Sequence, residues 1–193
     1  MRAFAAIELP RPIRQAVSEL SRRLARTGAD VKWVELENLH VTLRFFGEIS
    51  EAQRRELEHH LSATATAIPC FRLQVGTIGA FPSVMAARVI WVGLAQGCEQ
   101  MQRLAAELDR VLAQAGWLRE DRPFSAHVTI GRVRSPKGRS RLAEQLRAAE
   151  WTPPEPFDVD HMTLFRSELT SAGAIYTPLA SFPFNPEAFT PSA

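Results

Sequence analysis

Residues 37–49 read ENLHVTLRFFGEI, and the alternation within Leu39–Leu43 decides how the rest of the chain is read. Apolar and polar residues repeat with period two, the repeat of a strand that buries one face. Val41 and Leu43 turn into a core, while His40 and Thr42 share the opposite face. Residues 122–132, RPFSAHVTIGR, repeat the arrangement: Val128 and Ile130 go inward, His127 and Thr129 outward. With five histidines in 193 residues, about 0.3 His-x-Thr triplets are expected by chance, and the chain holds His40-Val41-Thr42, His127-Val128-Thr129 and His161-Met162-Thr163.

Outward from these strands the pattern alternates between periods. Phe4–Leu9 reads as a short buried strand. Pro10 and Pro12 open a helix with Ile13, Val17, Leu20 and Leu24 on one side, ended by Gly28. Val31–Val34 and Leu39–Phe46 read as strands. Ser50 and Gln53 form a capping box for a helix carrying Leu57 and Leu61. Phe71–Ile78 and Arg88–Leu94 are strand-like, and a helix over 97–115 presents Met101, Leu104, Leu108 and Leu112 before Gly116. His127–Val133, a helix over 139–149, and strands over Phe157–Phe165 and Ile175–Phe182 follow. Residues 33–60 and 120–149 each run strand, histidine strand, helix, which predicts two similar lobes, each a sheet with helices on one face. With no linker between them, residues 1–185 read as one domain and 186–193 as a frayed tail.

The composition is globular, 46% hydrophobic and 23% charged, with a net charge of only +2. A long basic nucleic-acid groove is not expected; the arginine-rich run Arg132, Arg134, Lys137, Arg139 and Arg141 is either a phosphate contact or a solvated face. Cys70 and Cys98 belong to no metal-ligand pattern and read as free thiols. The apolar stretch at the start is too short for a signal segment and meets Glu8, and no stretch approaches a membrane span. The expectation is a cytoplasmic protein. His59 and His60 sit beside Glu56 and Glu58 on a helix and read as solvated; no zinc-ligand set appears.

Two strands that each show an imidazole and a hydroxyl to one space suit in-line displacement at phosphorus. A neutral imidazole takes a proton from the attacking oxygen, an imidazolium gives one to the leaving oxygen, and hydroxyls hold the non-bridging oxygens. The pair alone does not order the two roles. Strand parity puts Arg44 on the His40 face and Arg132 off the His127 face, unless Gly131 bulges the strand. Trp33, Trp91, Trp117 and Trp151 read as packing residues.

HVTL at 40–43 and HVTI at 127–130, with ENLHVTLRFFGEI and RPFSAHVTIGR around them, resemble the paired motifs of the two-histidine phosphoesterase superfamily. The nearest resemblance is to its RNA 2',3'-cyclic phosphodiesterases, also named 2'-5' RNA ligases. FAAIELP at 4–10 and IYTPLASF at 175–182 resemble that family's opening and closing strands, so the resemblance spans most of the chain. It implies an α+β fold of two pseudo-symmetric lobes, each a mainly antiparallel sheet with helices on its outer face, and a cleft between them. It further implies His40 as proton donor, His127 as proton acceptor, Thr42, Thr129 and Arg132 on the phosphate, and Phe45 near the base or sugar; Arg44, placed by strand parity and not held consistently by the family, is the second candidate after Arg132 for a substrate contact. The implied reaction hydrolyses 2',3'-cyclic phosphate ends of RNA or oligonucleotides to 2'-phosphomonoesters, with no metal or other cofactor; a monomer is expected. Ligation to a 5'-hydroxyl at the same site, a different small cyclic nucleotide as substrate, and a non-catalytic RNA-binding module are the alternatives. The segment FDVDHMTLFRS matches a late family strand without a catalytic histidine, so His161 is expected to have no direct chemical role.

Overall fold

The computed structural model describes residues 1–171 and 173–186. In chain order they form β1 (Arg2–Glu8), α1 (Arg11–Ala25), β2 (Val31–Trp33), β3 (His40–Glu48), α2 (Glu51–Thr66), β4 (Phe71–Phe81), β5 (Val89–Gln96), α3 (Cys98–Gln114), β6 (His127–Val133), α4 (Arg139–Ala148), β7 (Phe157–Val159), β8 (His161–Leu169) and β9 (Ala174–Pro183). The tail expected to fray lies outside the described residues from position 187. Among those described, no helix is long and apolar enough to cross a membrane.

The helices form where the apolar spacing predicts them. Ile13, Val17, Leu20 and Leu24 of α1 are buried, and Pro12 stands in its first turn. Ser50 and Gln53 close the capping box of α2 in both directions. Met101, Leu104, Leu108 and Leu112 of α3 are fully enclosed.

The strands form a continuous sheet in the order β7-β4-β5-β6-β3-β1-β8-β9, with β2 added beside β6. The strand pairings are antiparallel. The order is pseudo-symmetric about the β3–β6 junction, where Val41 pairs with Val128. β3 corresponds to β6, β1 to β5 and β8 to β4. The helices cross over in the same reciprocal way: α1 packs under β6, and α3 under β3. The two lobes are therefore halves of one sheet rather than two separate sheets. The predicted echo is also incomplete, because residues 120–126 carry no strand.

The segment 157–165 breaks at Asp160 into two strands at distant places in the strand order. β7 pairs with β4, while β8 pairs with β1 and β9. One residue separates strands near opposite ends of the path, so the sheet curls until those ends approach. A bridge between Pro69 and Asn185 ties the start of β4 to the end of β9.

One sheet face carries the main core, in which Val41, Val128, Ile130, Val92, Ile7 and Leu164 meet the helices. On the opposite, open face lies a second small cluster of Phe4, Ala6 and Phe165, with Tyr176 against it. β1 is buried on both faces, which is why FAAI reads as a continuous apolar run.

Candidate active site

The single Val41–Val128 pair sets the site. Both valines are fully buried in the core. Their neighbours therefore face the open side: the antiparallel register puts His40 beside Thr129 and His127 beside Thr42. His40 and His127 are therefore diagonal across this pair, and diagonal neighbours of a regular ladder lie about 7–8 Å apart, with their β-carbons somewhat closer. His127 is close enough for its charge to oppose protonation of His40.

Both rings are held by the nitrogen nearer the backbone. His40 donates from Nδ1 to the Asn38 carbonyl at 2.8 Å, and His127 from Nδ1 to the Ser125 carbonyl at 2.7 Å. Each tether is two residues upstream, so the same short-range backbone bond orients both histidines and leaves Nε2 free of the backbone. Nε2 of the neutral His40 ring accepts from the Thr42 hydroxyl at 3.0 Å.

The surroundings of the two rings differ. His40 packs beside Phe4 at 4.9 Å and meets the edge of Tyr176 at 5.4 Å. Burial is the main force lowering its pKa below the usual 6.5; the Asn38 hydrogen bond raises it, His127 lowers it and Glu8 raises it. The free ring is thus neutral near pH 7. The folded value lies below the unfolded one, so the unfolded chain binds the proton more tightly. This contribution to stability is complete above pH 6.5 and declines as pH falls from there toward the folded value. A His40→Gln variant is expected to lose less stability than the parent between pH 7.5 and pH 5.5, measured by urea denaturation; equal losses would refute it.

His127 is flanked by Phe81, edge-on at 5.2 Å, and by Trp91 at 6.5 Å. The Trp91 ring lies over Gly79 on the next strand, where an added β-carbon would fall 2.3 Å from Trp91 Cζ2. Gly79→Ala is expected to displace Trp91 and cut turnover while costing about 1–3 kcal/mol of stability. Near-ultraviolet circular dichroism with a rate measurement checks this; unchanged tryptophan signal and full activity would exclude it.

Matching irregularities follow the two motifs. The β1–β3 register skips Leu43, pairing Ala5 with Arg44 and Ala6 with Thr42. The β5–β6 register skips Ile130, pairing Ile90 with Gly131 and Trp91 with Thr129. Each bulge shifts the following residues to the other face. The parity expectation for Arg44 therefore fails: it is buried away from the histidines, bonded to Asp109 at 2.6 Å and to the Leu118 carbonyl. At the corresponding place in β6 an added β-carbon on Gly131 would fall 2.8 Å from Val31 Cγ1. Glycine lets β2 pack there. The residues that return to the open side are Phe45, which is 63% exposed beside Phe4, and Arg132. The Arg132 charge reaches the Tyr176 hydroxyl, whose pKa burial raises and Arg132 and Arg2 lower.

Arg139 and Arg141 of the arginine-rich run lie apart from the site. Both belong to α4, and Arg141 lines a hollow of about 680 Å³ with Arg23 and Arg26 of the α1 region, a hollow that contains neither motif histidine. His59 and His60 lie on α2. Cys70 and Cys98 are both free. Sequence reasoning missed Phe4, Phe165 and Tyr176 as neighbours of His40; the one signal was the doubly buried character of β1.

A curled antiparallel sheet with helices on one face thus brings two His-x-Thr strands together on the other. The chain belongs to the 2'-5' RNA ligase superfamily, whose model matches residues 9–170. An RNA 2',3'-cyclic phosphodiesterase of Methanothermobacter thermautotrophicus is 36% identical, over 94% of this chain and 98% of that protein. A protein of the same name from Thermotoga maritima is 33% identical over 91% of each. Among solved structures, a Thermus thermophilus protein matches with a TM-score of 0.78 at 28% identity, over 97% of this chain and all of that one. Escherichia coli LigT complexed with 3'-AMP matches with 0.75 at 27% identity, over 95% and 97%.

Proposed function

We propose that this chain is an RNA 2',3'-cyclic phosphodiesterase that opens the cyclic end by two-histidine acid and base catalysis, without a metal, and leaves the phosphate on the 2' oxygen. The observation that carries the reading is the Val41–Val128 pair, which brings two imidazoles and two threonine hydroxyls to one face. The names of the relatives supply the substrate class.

In this mechanism His127 takes a proton from water through Nε2, and the water oxygen attacks phosphorus. The bond from phosphorus to the 3' oxygen breaks as His40 Nε2 gives that oxygen a proton. Thr42, Thr129 and Arg132 hold the non-bridging oxygens, and Arg132 offers a planar fork to them. The buried His40 ring rests neutral, so it donates only after gaining a proton. The arriving phosphate anion favours that protonation, as any nearby negative charge does. Phe45 offers an exposed ring to the adjoining base or sugar. Phosphate and one terminal nucleotide fill the site, so weak sequence preference and moderate salt sensitivity are expected.

An oligoribonucleotide ending in a 2',3'-cyclic phosphate tests the proposal. The expected product is a 2'-phosphomonoester, formed at full rate in excess chelator. A 3'-phosphate product would reverse the bond assignment, and chelator-sensitive turnover would contradict the metal-free mechanism. The superfamily's description favours one second reading: a 5'-hydroxyl in place of water at His127 would yield a 2'-5' linkage, detected by adding a 5'-hydroxyl oligonucleotide to the same assay.

A further inference from the structure

The third triplet, His161-Met162-Thr163, lies on the open face of β8, one strand beyond β1 from His40. Register explains this. On β1, Glu8 pairs with His40 of β3, and Ala6 pairs with both Thr42 of β3 and Thr163 of β8. Met162 is buried in the core, so His161 and Thr163 take the opposite face. His40, Glu8 and His161 form one row across three strands.

Glu8 is clamped within that row. The Thr163 hydroxyl donates to Glu8 Oε2 at 2.8 Å, and His161 Nε2 lies 3.5 Å from the same oxygen. His161 is in turn oriented by Nδ1, which donates to Asp160. A glutamate on an exposed strand end ordinarily samples many rotamers, and ordering it costs entropy. Here two side chains of a neighbouring strand fix its carboxylate at the strand position that pairs with His40.

We propose that Glu8, held by Thr163 and His161, is a positioning residue for His40: its carboxylate stabilises the imidazolium that donates the proton. The inference rests on the reading of His40 as proton donor. A buried acid needs such a partner, because burial in the aromatic pocket disfavours its charged form. The other groups that bear on His40 do not supply a fixed anion. His127 comes from β6 and opposes its protonation. Tyr176 comes from β9, and Arg132 and Arg2 bear on its hydroxyl. His161 on β8 acts on His40 only through Glu8, as an ion pair when it carries its proton.

The test titrates the labelled His40 ring by NMR and measures kcat/KM against pH in the parent, Glu8→Gln and His161→Asn. Glu8→Gln keeps size and removes charge. Its His40 midpoint is expected to fall, with kcat/KM about tenfold lower on the alkaline side and less than about twofold changed on the acid side. His161→Asn keeps the Glu8 charge and its Thr163 hydrogen bond while loosening the clamp, so its midpoint is expected to fall by less than that of Glu8→Gln. An unchanged midpoint in Glu8→Gln, or an equal fall in both variants, would overturn the proposal. The NMR titration needs no turnover. A parent that fails to open a cyclic phosphate would defeat the functional reading, while the titration would still decide the role of Glu8.

Discussion

Replacing His127 with alanine is expected to lower kcat/KM for a 2',3'-cyclic phosphate end by about 10²–10⁴, or about 2.7–5.4 kcal/mol of barrier. The loss arises because the variant has no imidazole at the attacking water to accept its proton. His40→Ala is expected to cost a similar factor through the leaving oxygen. The double variant should lose much less than the product of the two, since a base without its acid drives little turnover. Stability separates chemistry from folding. The His127 ring is half-buried, with one backbone hydrogen bond and the Phe81 and Trp91 rings about it, so His127→Gln, which keeps most of the volume, is the variant expected to leave the urea midpoint nearly unchanged. His40 sits against Phe4 and Tyr176, so His40→Gln is the better control there because it keeps most of the volume. Activity within about twofold of the parent in either single variant would defeat the mechanism.

The second large effect concerns stability and follows from the bulge after Thr42. Asp109→Ala strands the Arg44 guanidinium, whose side chain is only 5% exposed, and leaves the carbonyl at Leu118 as its remaining partner. Breaking a buried ion pair on one side typically costs about 3–5 kcal/mol. Asp109 is itself 24% exposed, which places the expectation near the lower end, about 3 kcal/mol by denaturant unfolding. Replacing both partners together, Arg44→Met with Asp109→Leu, should restore most of the loss because no charge is then left buried. Arg132→Ala should do the reverse: a fall in turnover with little change in stability. A destabilisation below about 1 kcal/mol in Asp109→Ala would show that Arg44 finds water instead.

Local periodicity made the site's centre legible. The alternation in His40–Leu43 and His127–Ile130 places each side chain correctly, because a strand's repeat is a property of consecutive residues. The helices were equally readable from their apolar stripes and from Ser50 and Gln53. What periodicity does not encode is an added residue. Leu43 and Ile130 each disturb the ladder, and from there parity is inverted, so Arg44 and Arg132 exchange the faces that simple alternation assigns. Asp160 posed a related problem: FDVDHMTLF looks like one strand, and only long-range pairing shows that its two parts belong to β4 and β1. Glu8 and His161 are 153 positions apart in number, and no local pattern joins them. The sheet register does.

The most direct test of the two-histidine mechanism is a crystal structure with a 2'-phosphorylated nucleotide bound. The phosphate is expected between β3 and β6, with its oxygens about 2.6–3.2 Å from Nε2 of both His40 and His127. Thr42, Thr129 and Arg132 should complete its hydrogen bonds. A phosphate held by only one of the two rings, or seated in the hollow beside Arg23 and Arg141, would contradict it.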